Sequence, residues 1–253
     1  MQKDLIDYYN NYDEEGRLFR DHAHQVEWLT TIRYFETLLP PASKILDGCA
    51  GTGNYAFWLA GKGHCVSAGD IVPHNVRLMR QKQAGEPLLQ DIFVGDICDI
   101  RGYGKEYFDV VLCMGAFYHL DSEMRERALG ECLRVLKKGG LLVISYINLS
   151  AAVHLQMRKG LENMDRIRLL YETGSLGDSF TYMTPEEVEN LARKNSLNIR
   201  CHLTPDGITY LHGAEVNAAG EEDFEKYMEL HFQTCEDKYL LGYGLHGLVF
   251  LEK

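Results

Sequence analysis

The chain of 253 residues is 45% hydrophobic and 25% charged, ordinary globular values, and is long enough to bury a core without staples. That excludes wholesale disorder and a fibrous architecture. With 26 Lys+Arg against 37 Asp+Glu the net charge is −11, which repels phosphate backbones; with no Lys/Arg-rich run in view, a nucleic-acid partner is not expected.

The opening residues are polar and acidic, without a signal-peptide core, and no apolar run reaches 18 residues, so no membrane partner is expected. The seven cysteines are scattered, with no Cys-x-x-Cys, and read as reduced small hydrophobes in a cytoplasmic protein. No metal is expected, because the separations of His202, His212 and His231 match no short metal motif.

Residues 1–22 predict a helix and a loop. Apolar positions from Val26 to Leu39 recur at helical spacing, and Pro40-Pro41 ends that helix. Lys44–Asp47 reads as a strand, Asn54–Gly61 as a helix, Cys65–Asp70 as a strand and Asn75–Gln83 as a helix. Ile92–Asp96 and Phe108–Met114 follow as strands, the latter a continuous apolar run suited to a strand covered on both faces. Glu123–Leu136 predicts a helix closed by Lys137-Lys138-Gly139-Gly140. Leu141–Tyr146 is the fifth strand. Thr184-Pro185-Glu186-Glu187 starts another helix, with a Thr cap and Glu at the third position. Ile199–Leu203 and Leu248–Glu252 are the last strands. This alternation predicts a single doubly wound α/β domain. Segments 147–180 and 205–244 break it. With residues 1–39 they are expected to cap a core of 40–147 and 184–253, over the carboxyl ends of the strands where ligands sit.

The sharpest feature is Asp47-Gly48-Cys49-Ala50-Gly51-Thr52-Gly53, strand to turn to helix. Two ligands compete for it. Gly51-x-Gly53-x-x-Ala56, with Asp70 at the distance of a ribose-binding carboxylate, fits a loose dinucleotide fingerprint. An acidic residue opening the turn fits S-adenosylmethionine (SAM).

Five motifs in order resemble the class I SAM-dependent methyltransferases: Asp47–Gly53, Asp70 ending the second strand, Gly95-Asp96-Ile97, Phe108-Asp109-Val110-Val111, and Leu136–Gly140 before the fifth strand. The chain also resembles a subgroup of small bacterial methyltransferases without assigned substrates. The resemblance implies a Rossmann-like seven-stranded sheet, mostly parallel with an antiparallel last strand and helices on both faces. SAM is the implied cofactor and S-adenosylhomocysteine (SAH) its product. Asp47, Gly48, Cys49, Ala50, Gly51 and Gly53 would surround its methionine part. Asp70, followed by Ile71, would hold the ribose hydroxyls, and Asp96 and Ile97 the adenine. Met114 and Gly115 would lie beside the sulfonium, and Arg17 or Arg20 would pair its carboxylate.

On the acceptor side the resemblance implies His119 as general base with Tyr118 beside it. Gly-Ala-Phe-Tyr at 115–118 replaces the Asn/Asp-Pro-Pro-Tyr/Phe of nucleobase methyltransferases, which leaves a small-molecule acceptor with an O, N or S nucleophile. Tyr8, Tyr12, His24 and Glu27 in the leading segment, and Tyr146, Tyr182 and His212 in or beside the insertions, are the candidate substrate contacts. Phe180, His231 and His246 belong to the same pool, at least half of which should be core. A SAM-binding sensor without turnover and an NAD(P)-dependent oxidoreductase remain as alternatives.

Overall fold

The computed structural model describes residues 6–9, 12–85, 88–177 and 179–253. Among these residues seven strands form one sheet in the order β3-β2-β1-β4-β5-β7-β6. They are β1 (Lys44–Asp47), β2 (Cys65–Asp70), β3 (Asp91–Val94), β4 (Phe108–Cys113), β5 (Leu136–Ile147), β6 (Asn198–Leu203) and β7 (His246–Glu252). β7 alone runs against its neighbours, pairing antiparallel with β5 and β6.

Alternation along each strand divides the core into two layers. Leu46, Val111, Cys113, Ile144 and Val249 face α4 (Ser122–Val135) and α7 (Pro185–Lys194). Ile45, Val110, Leu112, Val143 and Phe250 face α1 (His22–Leu38), α2 (Asn54–Gly61) and α3 (Pro73–Lys82). The caps are local. Asp21 accepts from His24 N at the start of α1, Asp121 from Met124 N at α4, and Thr184 and Glu187 form the expected reciprocal box at α7.

Two expectations change. Leu136–Gly140 does not close a helix; α4 stops at Val135 and β5 starts at once, with Leu136 opposite Phe108. Gly139 turns at φ 71° while its N–H bonds Lys253 O, so strand pairing outweighs the helix-end look of Lys-Lys-Gly-Gly. The leading segment is also more than a cap, because Phe35 and Leu39 are buried in the sheet core. The front of α1 does pack against the second insertion, where Val26 meets Val216, Phe224 and Met228 of α8 (Gly213–Ala218) and α9 (Glu221–Thr234). The first insertion folds as α5 (Leu149–Lys159) on α6 (Met164–Thr173). Among the described residues no helix is long and apolar enough to cross a membrane.

Tyr146 is fully buried on β5 opposite Gly247, and its hydroxyl meets His202 Nε2 at 2.7 Å. It is therefore core, not substrate contact. A Cβ at Gly247 would collide with the Tyr146 ring. Gly247→Ala is expected to cost about 1–3 kcal/mol, as overpacking does. In a chain of this size that lowers the melting midpoint by roughly 2–4 °C per kcal/mol. An unchanged midpoint would show that the ring moves aside freely.

Candidate active site

The strand order reverses between β1 and β4, and a crevice opens there at the carboxyl edge. β1 brings Asp47 to it and Gly48–Gly53 turn the chain into α2. Gly51 and Gly53 adopt φ of 55° and 87°, a region that favours glycine. A Cβ at Gly48 would strike the tip of the Ile97 side chain, which would have to shift. Gly53 lies against Met79 and Phe57 and is not on the cleft wall; its part is to make the turn.

β2 delivers Asp70. Its Oδ1 accepts from Val72 N at 2.8 Å and Asn75 Nδ2 at 3.2 Å, and its Oδ2 accepts from Gly51 N at 2.8 Å. A carboxylate offers about four lone-pair sites, so about one remains for a ligand hydroxyl. Just past β3, Asp96 Oδ1 accepts from Cys98 N at 2.8 Å. After β4, Gly115 at φ 108° donates its N–H to Ser145 Oγ at 3.0 Å.

The leading segment closes the front. Glu14 lies over Gly51. Arg17 donates from Nε to Glu14 at 3.2 Å and from Nη1 and Nη2 to the two oxygens of Glu27 at 2.7 and 3.2 Å. Three of its five N–H donors are therefore spent inside the chain, and two are left for a ligand carboxylate.

The resulting cleft, its mouth included, has an empty volume of about 1230 Å³. Its walls hold Asp47, Gly48, Cys49, Ala50, Gly51, Asp70, Ile71, Asp96, Ile97, Met114, Gly115, Arg17, Tyr118 and His119, all named from sequence. A second chamber of about 1120 Å³ adjoins it and shares Tyr9, Glu14, Arg17, Glu27, Tyr118 and His246. Tyr8, Tyr12 and His24 line that chamber. Besides Gly53 and the core residue Tyr146, three more candidates lie on neither wall. Arg20 is exposed beyond the short helical turn Arg17–Phe19. Tyr182 packs on the cluster of Leu149 and Leu170, and His212 caps α8 beside Tyr227.

Residues without an expected role also line the walls: Tyr9, Glu14, Asn75, Ser145 and Asp206. Asn75 had a usable signal, a polar residue in the first turn after the β2 carboxylate. The others had none, because their partners are distant in sequence.

Tyr9 bears on the proposed base. Its hydroxyl is 2.9 Å from His119 Nε2, while His119 Nδ1 is 2.7 Å from Ser179 O. A carbonyl only accepts, so Nδ1 carries the proton and Nε2 accepts from Tyr9. Both ring nitrogens are thus occupied. Burial also lowers the His119 pKa.

Burial raises Asp47 to about 7, with Asp70 adding to the rise against a hydrogen bond from Cys49 N–H. Burial likewise raises Asp70 to about 6 against its three donors. Glu27 is the reverse: burial pushes it up, but Arg17 first and His246 next pull it down to about 2. The cleft thus holds carboxyls that keep protons up to near-neutral pH, and a cationic ligand would favour their ionised form. The Thr52 hydroxyl on its wall, buried and without a hydrogen-bond partner among the described residues, offers a further polar contact. This donor and acceptor set fits SAM, whose ammonium, ribose hydroxyls and adenine amino group call for acceptors.

Comparison with known proteins agrees. Residues 46–144 match the methyltransferase domain family. The chain is 25% identical over 207 residues to the methyltransferase GfsG of Streptomyces halstedii, covering 70% of this chain and 73% of that one. It is 28% identical over 182 residues to a ubiquinone biosynthesis O-methyltransferase of Thiobacillus denitrificans, covering 71% and 74%. With several other curated relatives the match spans only about half of their length. Magnesium protoporphyrin IX methyltransferase from Synechocystis PCC 6803, solved with bound SAH, shares the fold with a TM-score of 0.61 at 13% identity, covering 100% of both chains. Motif order, strand order and crevice agree with these matches, which support a class I SAM-dependent methyltransferase with SAM as its cofactor.

Proposed function

We propose that the protein transfers a methyl group from SAM to a small-molecule acceptor carrying an O, N or S nucleophile. The observation that carries this is the set of carboxylates at the ends of three adjacent strands, Asp47, Asp70 and Asp96, around one cleft that opens into a second chamber. Bound SAM supplies an electrophilic methyl group on a sulfonium, which needs no metal to react. The chain's own work is to hold both partners in line and to exclude water. Asp70 takes a ribose hydroxyl, Asp96 and Ile97 the adenine edge, and Asp47 the ammonium. Tyr118, which lines both spaces, stands between cofactor and acceptor. The second chamber favours turnover over a sensor, which would need no room for an acceptor.

Isothermal titration with SAM, SAH and NADH tests the reading. Micromolar binding of SAM and SAH without an NADH signal is expected; a folded protein that binds neither SAM nor SAH overturns it.

The raised carboxyls give the pH dependence. Binding a cation and hydroxyl donors favours ionised Asp47 and Asp70, so SAM lowers their pKa values and expels protons. From about 7 and 6 in the free protein, proton release is expected near pH 6.5 and should vanish by about pH 8.5. Affinity should rise by about tenfold or more from pH 5.5 to 8. Calorimetry in two buffers of different ionisation enthalpy reads the protons directly. Proton uptake, or none at all, would remove these carboxylates from the binding step.

A further inference from the structure

We propose that His246, held by Asp206, is the general base of this site, and that its acceptor is an aromatic hydroxyl. This rests on the methyl-transfer reading above. β7 is antiparallel, so its first residue lies at the edge where the parallel strands have their carboxyl ends, and His246 lines both the cleft and the chamber.

Asp206, shortly after β6, grips His246 twice. Its Oδ1 accepts from His246 N at 3.0 Å and its Oδ2 lies 2.6 Å from Nδ1. An ionised carboxylate only accepts, so Nδ1 carries the proton and the lone pair of the neutral ring is on Nε2. Among the described residues Nε2 has no hydrogen-bond partner. The side chain keeps 20% of its surface accessible although it is sunk between α1 and the sheet, so that surface opens onto the cavities. His119 differs on this point, with both nitrogens engaged.

The charged groups facing His246 are Asp206 from the β6 side, Glu27 of α1 at 3.8 Å from Nδ1, and Arg17 and Glu14 of the leading segment. His24 and His231 stand behind the two carboxylates. Glu27, Asp206 and His246 offer ligand atoms within 4.8 Å of one another, a spacing that a metal ion could bridge. Arg17, bound to both Glu27 oxygens, already supplies the positive charge there. Burial lowers the His246 pKa, but Asp206 and Glu27 more than offset it and the net shift is upward.

Two stacked ring pairs stand on the chamber wall, Tyr8 with Tyr12 at 5.6 Å and Tyr118 with Phe180 at 6.3 Å. Such walls suit a planar ring. A phenol, with a pKa near 10, keeps its proton at neutral pH and gains from a base; a carboxylate acceptor needs none. The proton passes from the acceptor oxygen to Nε2. The oxygen lone pair forms the new carbon–oxygen bond as the carbon–sulfur bond breaks, with its electron pair left on sulfur, and the imidazolium returns the proton to water.

The test uses the full chain, radiolabelled SAM, and catechol and phenol as probes, with benzoate and benzylamine for comparison. SAM binding is measured first, by calorimetry. Transfer to the phenols is expected, with log kcat rising at unit slope through a pKa above 6.5. His246→Gln should lower kcat by about 10²–10⁴-fold and flatten the rise. Asp206→Asn should move the rise to lower pH, because the anion that raises His246 is gone. His119→Gln should keep the rise while changing KM. In the ligand-free protein, NMR of the ring carbon and nitrogens should show His246 titrating above 6.5 and neutral as the Nδ1–H tautomer. The inference is overturned if His246→Gln keeps the rise, if the neutral ring carries its proton on Nε2, or if a SAM-binding protein methylates none of the phenols. Absence of SAM binding overturns the methyl-transfer reading itself, and the base with it.

Discussion

Arg17→Met is expected to destabilise the protein by about 3–5 kcal/mol at pH 7, the cost of stranding a buried charge. In a chain of this size that lowers the melting midpoint by on the order of 10 °C. Arg17 is the shared partner of Glu14 and both oxygens of Glu27, and the Arg17 and Glu27 side chains are only 21% and 15% exposed. Without it Glu27 faces Asp206 with only His246 and His24 as basic neighbours. The sign with pH follows. In the wild type Glu27 is depressed to about 2 from 4.5, so its contribution is present above pH 4.5 and lost as pH falls toward 2. In the variant burial dominates and raises Glu27, so the deficit is largest at neutral pH and shrinks on acidification. Thermal melts at pH 7 and pH 4.5 read both effects. A constant gap would mean that Glu27 is not the group being held. Arg17→Lys should recover only part, because an ammonium cannot make the two-point contact.

Asp70→Ala is expected to weaken SAM binding by about 100-fold, because charge-assisted hydrogen bonds are worth about 1.5–3 kcal/mol each. The carboxylate both pins Gly51 N–H and Val72 N–H and offers its remaining lone pair to the cleft. Asp70→Asn separates affinity from folding. With its pKa raised to about 6, Asp70 contributes stability below 3.8 that is lost as pH rises through 6. Above that pH the ionised group burdens the ligand-free fold, but an Asn amide would set its NH2 against one of the present donors, so the Asn variant should melt somewhat lower than the wild type at pH 7.5 while losing far more SAM affinity. Affinity within about threefold of wild type in Asp70→Ala, where a lost charge-assisted bond should cost far more, would take Asp70 out of the ligand's reach.

What could be read from sequence was local. The turn 47–53, Asp70 at a strand end, the helix Asn54–Gly61 and the Thr184–Glu187 box each depend on neighbours a few residues away, and the structure places them as expected. The rest depends on partners far along the chain. Lys137–Gly140 looks like a helix end until Phe108 and Lys253 pair with that stretch. Tyr146 is indistinguishable from a pocket tyrosine until His202 meets its hydroxyl. His119 has the identity of a base, but Tyr9 and Ser179 occupy its nitrogens. His246 was in the pool of pocket candidates, yet nothing in its spacing announces Asp206, since the two flank an insertion that folds back on itself.

The antiparallel β7 has a consequence for how the molecule assembles. The cofactor loop needs only β1, β2 and β4, which are close in sequence and can pair early. The second chamber needs Glu14 and Glu27 from one end of the chain to meet His246 from the other. Closing so long a loop costs entropy that is recovered only when β7 enters between β5 and β6, so this contact forms late. Native-state hydrogen exchange should therefore divide the molecule into an early, slowly exchanging unit around β1 and β4, and a later one in which the last strand and the leading helix open together.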